Sequence, residues 1–316
     1  MNKLVLIIPV FNEQEVLEYS SYEFIRVIQN LIKKQKISKD SKIVFIDDGS
    51  FDSSWNLIEK LIQKESYING IKLSRNYGQQ SAMLAGLFNI EADMYITVDV
   101  DLQEDINAIE LMINEYLNNN DIVYGVREKR EEDTFFKKFS AEIFYKLMLL
   151  LGINIISNHS EYRLMSKRAV ESLKLFPEKN LFLKGIIPLL GYPTAKVYYS
   201  RKKRVAGDSK YPFKKLLSLA WEGITSFSVI PLKIITFIGF ILFIVSLILG
   251  GWAFYMKLFT DTAVPGWAST VIPIYFIGGI QVLSLGIIGE YIGKIYKETK
   301  QRPYFLIDKI IEKKKD

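Results

Sequence analysis

The segment YITVDVDLQED, Tyr95 to Asp105, runs an apolar strand-like stretch directly into a cluster of carboxylates. Side chains two apart in a strand share a side, so Asp99 and Asp101 are expected to face one point where the strand ends. Two carboxylates held together repel unless a cation lies between them or one keeps its proton. Oxygen ligands suit a hard divalent ion, Mg²⁺ or Mn²⁺, which takes one or two carboxylates together with substrate phosphates. The chain has no Cys and His159 is its one histidine, which argues against zinc. Taken alone, a D-x-D pair is also what an ordinary solvated turn contains.

The elements that must position these groups are legible on either side. KLVLIIPV, KIVFIDD, GIKLS, MYITVDV and DIVYGV are short apolar runs that read as buried parallel strands. Helical spacing fills 13–34, 53–63, 80–90 and 105–117 between them, and a further helix is expected over 135–150. Strand alternating with helix predicts an α/β fold, a doubly wound and mostly parallel sheet whose ligands bind beyond the carboxyl ends of the strands. The residues at those ends are polar: PVFNE, DDGSFDSS, SRNYGQQ, DVDLQ and GVR in turn. Each also has a plain structural reading, Asn12 as a helix cap and DDGSFD as an Asx turn bent at Gly49. Glu104 and Asp105 are expected to open the following helix.

A chain of 316 residues permits one sizeable domain and an appendage. The appendage is apolar. Residues 234–256 and 262–289 carry no acidic or basic side chain, and at ~1.5 Å per helical residue each run is long enough to cross a ~30 Å hydrocarbon layer. The preceding FKKLLSLAWEGITSFSVIPLK suits a helix lying in a membrane interface. The expected organisation is a soluble domain over 1–212, an interfacial amphipathic helix over 213–233, two transmembrane helices with a short external loop over 234–292, and a basic tail over 293–316. Lys and Arg number 41 against 35 acids, and much of that excess flanks the apolar runs, as at Lys202, Lys203, Lys214 and Lys215. Attraction to anionic lipid explains it better than nucleic acid does, and the positive-inside rule places both termini and the soluble domain in the cytoplasm. Met1 leads straight into a strand pattern, so no signal peptide is expected.

With PVFNE, DDGS, SRNYG and DVDLQ in this order at strand ends, followed by GVR, EYRLM, RVAGDSKYP, EGITSFS, GGIQ, GEYIGKIY and QRPYF, nearly the whole chain resembles the family 2 glycosyltransferases of GT-A fold. It looks like the polyprenyl-phosphate branch, similar to bactoprenol glucosyltransferases and dolichol-phosphate mannose synthases. The resemblance implies that Pro9, Phe11, Asn12, Glu13, Asp47 and Asp48 surround the base and ribose of a nucleotide sugar. It implies that Asp99, Asp101 and Gln103 hold the metal and diphosphate, and that Arg204 and Lys210 close over that diphosphate. Arg127, with Lys137 and Ser140, would meet the acceptor phosphate. NHSEYRLM departs from the commoner D-x-G-D-F-R-L: Asn158, Ser160, Glu161 and Tyr162 stand in place of Asp, Gly, Asp and Phe.

Glu161 is then the carboxylate expected to orient the acceptor or Arg163, and Asp101, Arg127, Glu161 and Arg163 form the expected catalytic set. A phosphate acceptor is ionised at pH 7 and needs positioning more than a general base. The implied reaction is inverting transfer of glucose or N-acetylglucosamine from a UDP-sugar to undecaprenyl phosphate by a multi-pass membrane enzyme. A homo-oligomer, a tetramer, is implied as well. Alternatives are a GDP-mannose-dependent polyprenyl-phosphate mannose synthase and, from another class, a catalytically silent membrane adaptor or flippase subunit.

Overall fold

Four apolar runs form the centre of the sheet: β1 (Leu4–Val10), β2 (Lys42–Asp47), β3 (Ile68–Leu73) and β4 (Met94–Thr97). They are buried on both faces, which is why they read as continuous rather than alternating apolar stretches. The computed structural model describes residues 1–128, 159–178, 183–200, 230–259 and 266–313. Lys137, Ser140, Asn158, Arg204, Lys210, the helix expected over 135–150 and most of the expected interfacial helix lie outside the described residues.

Helices cover both faces, as double winding requires. On one face α1 (Gln14–Lys33), α2 (Ser54–Lys64) and α4 (Ala108–Leu117) bury Phe24, Ile58 and Met112 against Leu6 and Phe45. On the other, α3 (Gln79–Asn89), α5 (Lys167–Leu173) and α6 (Leu183–Leu189) bury Leu84, Val170 and Ile186 against Ile7 and Ile46. In α1 the buried Leu17, Phe24, Ile28 and Leu31 recur at helical spacing, and each fully buried side chain of this kind contributes ~1.5–3 kcal/mol.

Among the described residues, eight strands make one sheet in the order β7-β5-β6-β4-β1-β2-β3-β8, with β5 (Ile122–Arg127), β6 (His159–Ser166), β7 (Thr194–Tyr199) and β8 (Ile307–Ile311). The sheet is mixed and mostly parallel, as expected: β1 to β5 and β7 run one way and two strands are reversed. β6 runs antiparallel to both β4 and β5, and β8 runs antiparallel to β3. Because β6 is reversed, its first residues, His159 to Glu161, arrive at the edge where β1 to β5 finish. β8 is reversed too, so Ile307 pairs with Leu73 at that same edge. The segment read as a basic tail thus supplies an edge strand.

Two long helices precede β8: α7 (Ile230–Phe259) and α8 (Trp267–Thr299). Among the described residues, Phe276–Thr299 is long and apolar enough to cross a membrane, with mean hydropathy 1.4, while Ile230–Leu242 is apolar but shorter. Phe237, Ile248, Phe276 and Val282 are exposed along them.

Candidate active site

At the ends of β1 and β2, two loops are laced together by side-chain to backbone hydrogen bonds. Asn12 adopts a left-handed conformation with φ 55°; its N–H donates to Ser50 Oγ at 3.0 Å and its Oδ1 accepts from Phe51 N–H at 2.9 Å. It therefore does not cap α1, whose N-cap is Glu13 with no side-chain cap. Glu13 N–H donates to Ser54 Oγ at 3.0 Å. Phe11, beside Pro9, meets Phe51 edge to face with ring centroids 6.1 Å apart, and Phe51 is 87% exposed. These two rings form an open apolar lip on the crevice.

Asp47 and Asp48 are buried at the foot of this lip. Asp48 accepts from the N–H groups of Tyr77 at 2.7 Å and Gly78 at 2.9 Å, which ties the SRNYG loop to the second strand end. Asp47 Oδ2 accepts from Ser50 N–H at 3.3 Å, whereas its Oδ1 is buried without a partner and so offers an acceptor to a bound molecule. Burial pushes both carboxyls above their ordinary range, against the lowering effect of these hydrogen bonds. The bend at Gly49, φ 70°, cannot be replaced cheaply: a Cβ there would lie 2.4 Å from the backbone of Arg75.

The carboxylate cluster forms past the end of β4. That strand stops at Thr97, so strand alternation does not aim Asp99 and Asp101; a turn does. Leu102 takes φ 55°, the chain reverses, and oxygens of Asp99, Asp101 and Glu104 come within 4.8 Å of one another. The assignment of Glu104 to the start of the next helix is corrected here. α4 begins at Ala108, and Glu104 is buried with Oε1 3.5 Å from Arg127 Nη2 at the end of β5. Asp105 does serve the helix entry, accepting from Asn107 N–H at 3.3 Å and, through its C=O, from Ala108 N–H at 3.0 Å. Gln103 is buried and its N–H donates to Asp101 Oδ1 at 3.2 Å.

Repulsion within the cluster shows in Asp99. Burial first, then the charges of Glu104, Asp101 and Glu161, push its pKa up to about 8, although Arg127 opposes them. Gln79 Nε2 donates to Asp99 Oδ1 at 2.6 Å. Glu161 behaves oppositely: burial would raise it, but Arg163, Lys184 and His159 outweigh burial and hold it below the usual carboxylate range. Its Oε2 is paired with Arg163 Nη2, and its Oε1 lies 3.8 Å from Lys184 Nζ. Arg163 is 1% exposed, and its Nε and Nη1 have no partner.

The departures from D-x-G-D-F-R-L make contacts of their own. Ser160 Oγ hydrogen-bonds Tyr199 Oη at 2.9 Å, and Tyr162 Oη donates to the C=O of Asp105 at 3.2 Å. Arg127 Nε donates to Tyr199 Oη at 3.4 Å. A hydroxyl network therefore ties β6, β7 and the acidic turn together. His159 is buried, its ring edge-on to Tyr124 at 5.6 Å. Sequence reasoning gathered the strand-end residues but missed Glu104, Gln79, Lys184 and Tyr199. For Glu104 the one signal present was a third carboxylate following the pair.

The architecture is GT-A-like, a mixed α/β sheet whose acidic turn sits where parallel strands give way to an antiparallel one, and comparison with known proteins makes it a glycosyltransferase. The chain belongs to glycosyl transferase family 2, which matches residues 5–174, and the GtrB C-terminal hairpin matches residues 230–295. It is 48% identical over 307 residues to the uncharacterized glycosyltransferase YkoT of Bacillus subtilis strain 168, covering 96% of this chain and 91% of that protein. It is 40% identical over 309 residues to the prophage bactoprenol glucosyl transferase homolog of Escherichia coli K12, covering 98% of this chain and 99% of that one. A solved glucosyl-3-phosphoglycerate synthase from Mycobacterium tuberculosis is a more distant likeness, 15% identical with a TM-score of 0.46 over 71% of this chain and 76% of that one.

Proposed function

We propose that this glycosyltransferase moves glucose from a UDP-sugar to a polyprenyl phosphate, undecaprenyl phosphate, at the cytoplasmic surface of a membrane, with inversion at the anomeric carbon. The observation that carries this reading is the convergence of Asp99, Asp101 and Glu104 with Arg127 at the mouth of the crevice, in a chain that also bears an apolar hairpin. Glucose is favoured over N-acetylglucosamine and mannose by the names of the bactoprenol relatives at 40% identity. Both apolar helices would cross the membrane, keeping the lipid phosphate at headgroup height within reach of the crevice.

The chemistry follows from two anions that must meet. An oxygen of the lipid phosphate bonds to the anomeric carbon as the bond from that carbon to the diphosphate oxygen breaks, and UDP leaves with the electron pair. Three hard oxygen donors within reach of one point fit Mg²⁺ or Mn²⁺, so Asp99, Asp101 and Glu104 would hold the ion, with Gln103 fastening Asp101. Such an ion neutralises charge on a departing diphosphate. Arg127, at the same edge, would supply a fixed cation to the phosphates, where preorganised charge is most effective. Glu161, held ionised by Arg163 and Lys184, would orient the acceptor side without taking a proton. Asp47 Oδ1 would accept from the base or ribose, beside Phe11 and Phe51.

Purified protein in detergent or nanodiscs, given undecaprenyl phosphate and UDP-glucose, UDP-N-acetylglucosamine or GDP-mannose side by side, is expected to label the lipid from UDP-glucose only when a divalent ion is present. If no nucleotide sugar is turned over under any divalent ion, the enzyme reading fails and the silent adaptor gains. A pH dependence should accompany the metal. Below about 8 the ion must displace the Asp99 proton, so Mn²⁺ affinity should rise tenfold per pH unit up to about pH 8 and then level. Calorimetry across pH 6 to 9, approximate limits chosen to bracket that value, checks this. A flat profile would remove Asp99 from the ion.

A further inference from the structure

The C-terminal segment ends where the nucleotide side of the crevice begins. After α8 stops at Thr299, only Lys300 to Leu306 intervene before β8 pairs with β3. The far end of β8 is anchored on α2, Lys309 Nζ lying 2.7 Å from Glu59 Oε1 and Lys313 Nζ donating to Gln63 C=O at 2.9 Å. Its near end does something different. Leu306 C=O accepts from Ser74 N–H at 2.9 Å, continuing the ladder past β3 into the SRNYG loop. Tyr304, Phe305 and Ile307 pack, as Tyr77 does, on the core that α3 covers, and Tyr304 Oη donates to Phe176 C=O at 3.0 Å.

The loop between these contacts is pressed from its other side. The backbone of Arg75 and Asn76 lies against Gly49 so closely that no side chain fits between, and the N–H groups of Tyr77 and Gly78 are fixed on Asp48. Ser74 Oγ and Tyr77 Oη are 3.0 Å apart, and Arg75 lies over the Tyr77 ring at 4.5 Å. Ser74 to Gly78 is thus clamped between the DDGS turn and residues 304–307. A five-residue loop with that much exposed backbone has little of its own to fix it, so the outer contact supplies the missing constraint.

We propose that residues 304–307 are a positioning element of the donor pocket: they hold the Ser74–Gly78 loop in the shape that grips the nucleotide, and so link the membrane helix α8 directly to donor affinity. This rests on reading Asp47, Asp48 and their loop as the nucleotide site. The effect should fall on the donor, because the loop this segment braces is the one whose Tyr77 and Gly78 N–H groups are fixed on Asp48.

The test is Tyr304→Ala in the full chain, with Tyr304→Phe, Lys309→Ala and a chain ending at Pro303 beside it. Tyr304→Ala should raise the KM for the UDP-sugar about tenfold, with acceptor KM and kcat within about twofold. Tyr304→Phe, which keeps the ring, and Lys309→Ala, at the far end, should stay close to the parent. Hydrogen exchange at the Tyr77 and Gly78 amides should quicken in Tyr304→Ala and more in the shortened chain, while β1 and β2 amides stay protected. Unchanged donor KM and unchanged exchange in a folded variant overturns the proposal, as does an equal rise in donor and acceptor KM. Should the parent turn over no nucleotide sugar, the functional reading falls, and exchange at Tyr77 and Gly78 still decides whether the segment holds the loop. If the shortened chain loses protection throughout, Tyr304→Ala alone decides.

Discussion

Asp101→Ala is expected to abolish sugar transfer while the protein stays folded. The substitution removes one of three carboxylates whose oxygens lie within 4.8 Å of each other, and with it the hydrogen bond that fixes the Gln103 N–H. Loss of that much charge stabilisation at a departing diphosphate corresponds to roughly a thousandfold in kcat, about 4 kcal/mol. Stability should move the other way or not at all. Asp101 is among the charges that push Asp99 up, so its removal relieves repulsion in the metal-free protein. A thermal melt without divalent ion should therefore match or exceed the parent, and Mn²⁺ should raise the midpoint of the variant less than that of the parent. Transfer within threefold of the parent would take Asp101 out of the ion's shell.

Glu104→Gln tests the residue that local reading misplaced. The amide keeps the shape of the side chain and an acceptor for Arg127 Nη2, now 3.5 Å from Glu104 Oε1, but removes the negative charge. Transfer is expected to fall by about two orders of magnitude, mostly in kcat, with Mn²⁺ bound roughly tenfold more weakly. Glu104 is the largest charge acting on Asp99 after burial, so the pH at which Mn²⁺ affinity levels should also move below about 8. A carboxylate serving only the start of α4 would behave otherwise, costing ~0.3–1 kcal/mol of stability and leaving kinetics and the pH profile alone. Measuring all three in one variant separates the two roles.

Which strands exist was legible because each central strand is buried on both faces and must be apolar throughout. Where polar groups gather was legible at the same points, because PVFNE, DDGS, SRNYG and DVDLQ break those apolar runs with groups that only function or a tight turn would place there. Glu104 was not legible, since its position depends on Leu102 adopting φ 55° and reversing the chain, and nothing in the residue type of a leucine announces that. Asn12 shows the converse: a residue type that suits a cap is used instead to bind a second loop, because Phe51 N–H lies within 2.9 Å in the folded chain.

By itself, then, the sequence determined the α/β alternation, the polar strand ends, the carboxylate pair and the apolar hairpin, all of which follow from local burial and local charge. Tertiary structure decided what lies beside what. β6 enters between β4 and β5 in reverse, delivering Glu161 and Arg163 to the acidic turn, and β8 returns from the apolar helices to brace the loop on Asp48. Strand pairing joins segments far apart in the chain through backbone hydrogen bonds common to every residue, so no side chain along either segment specifies its neighbour in isolation.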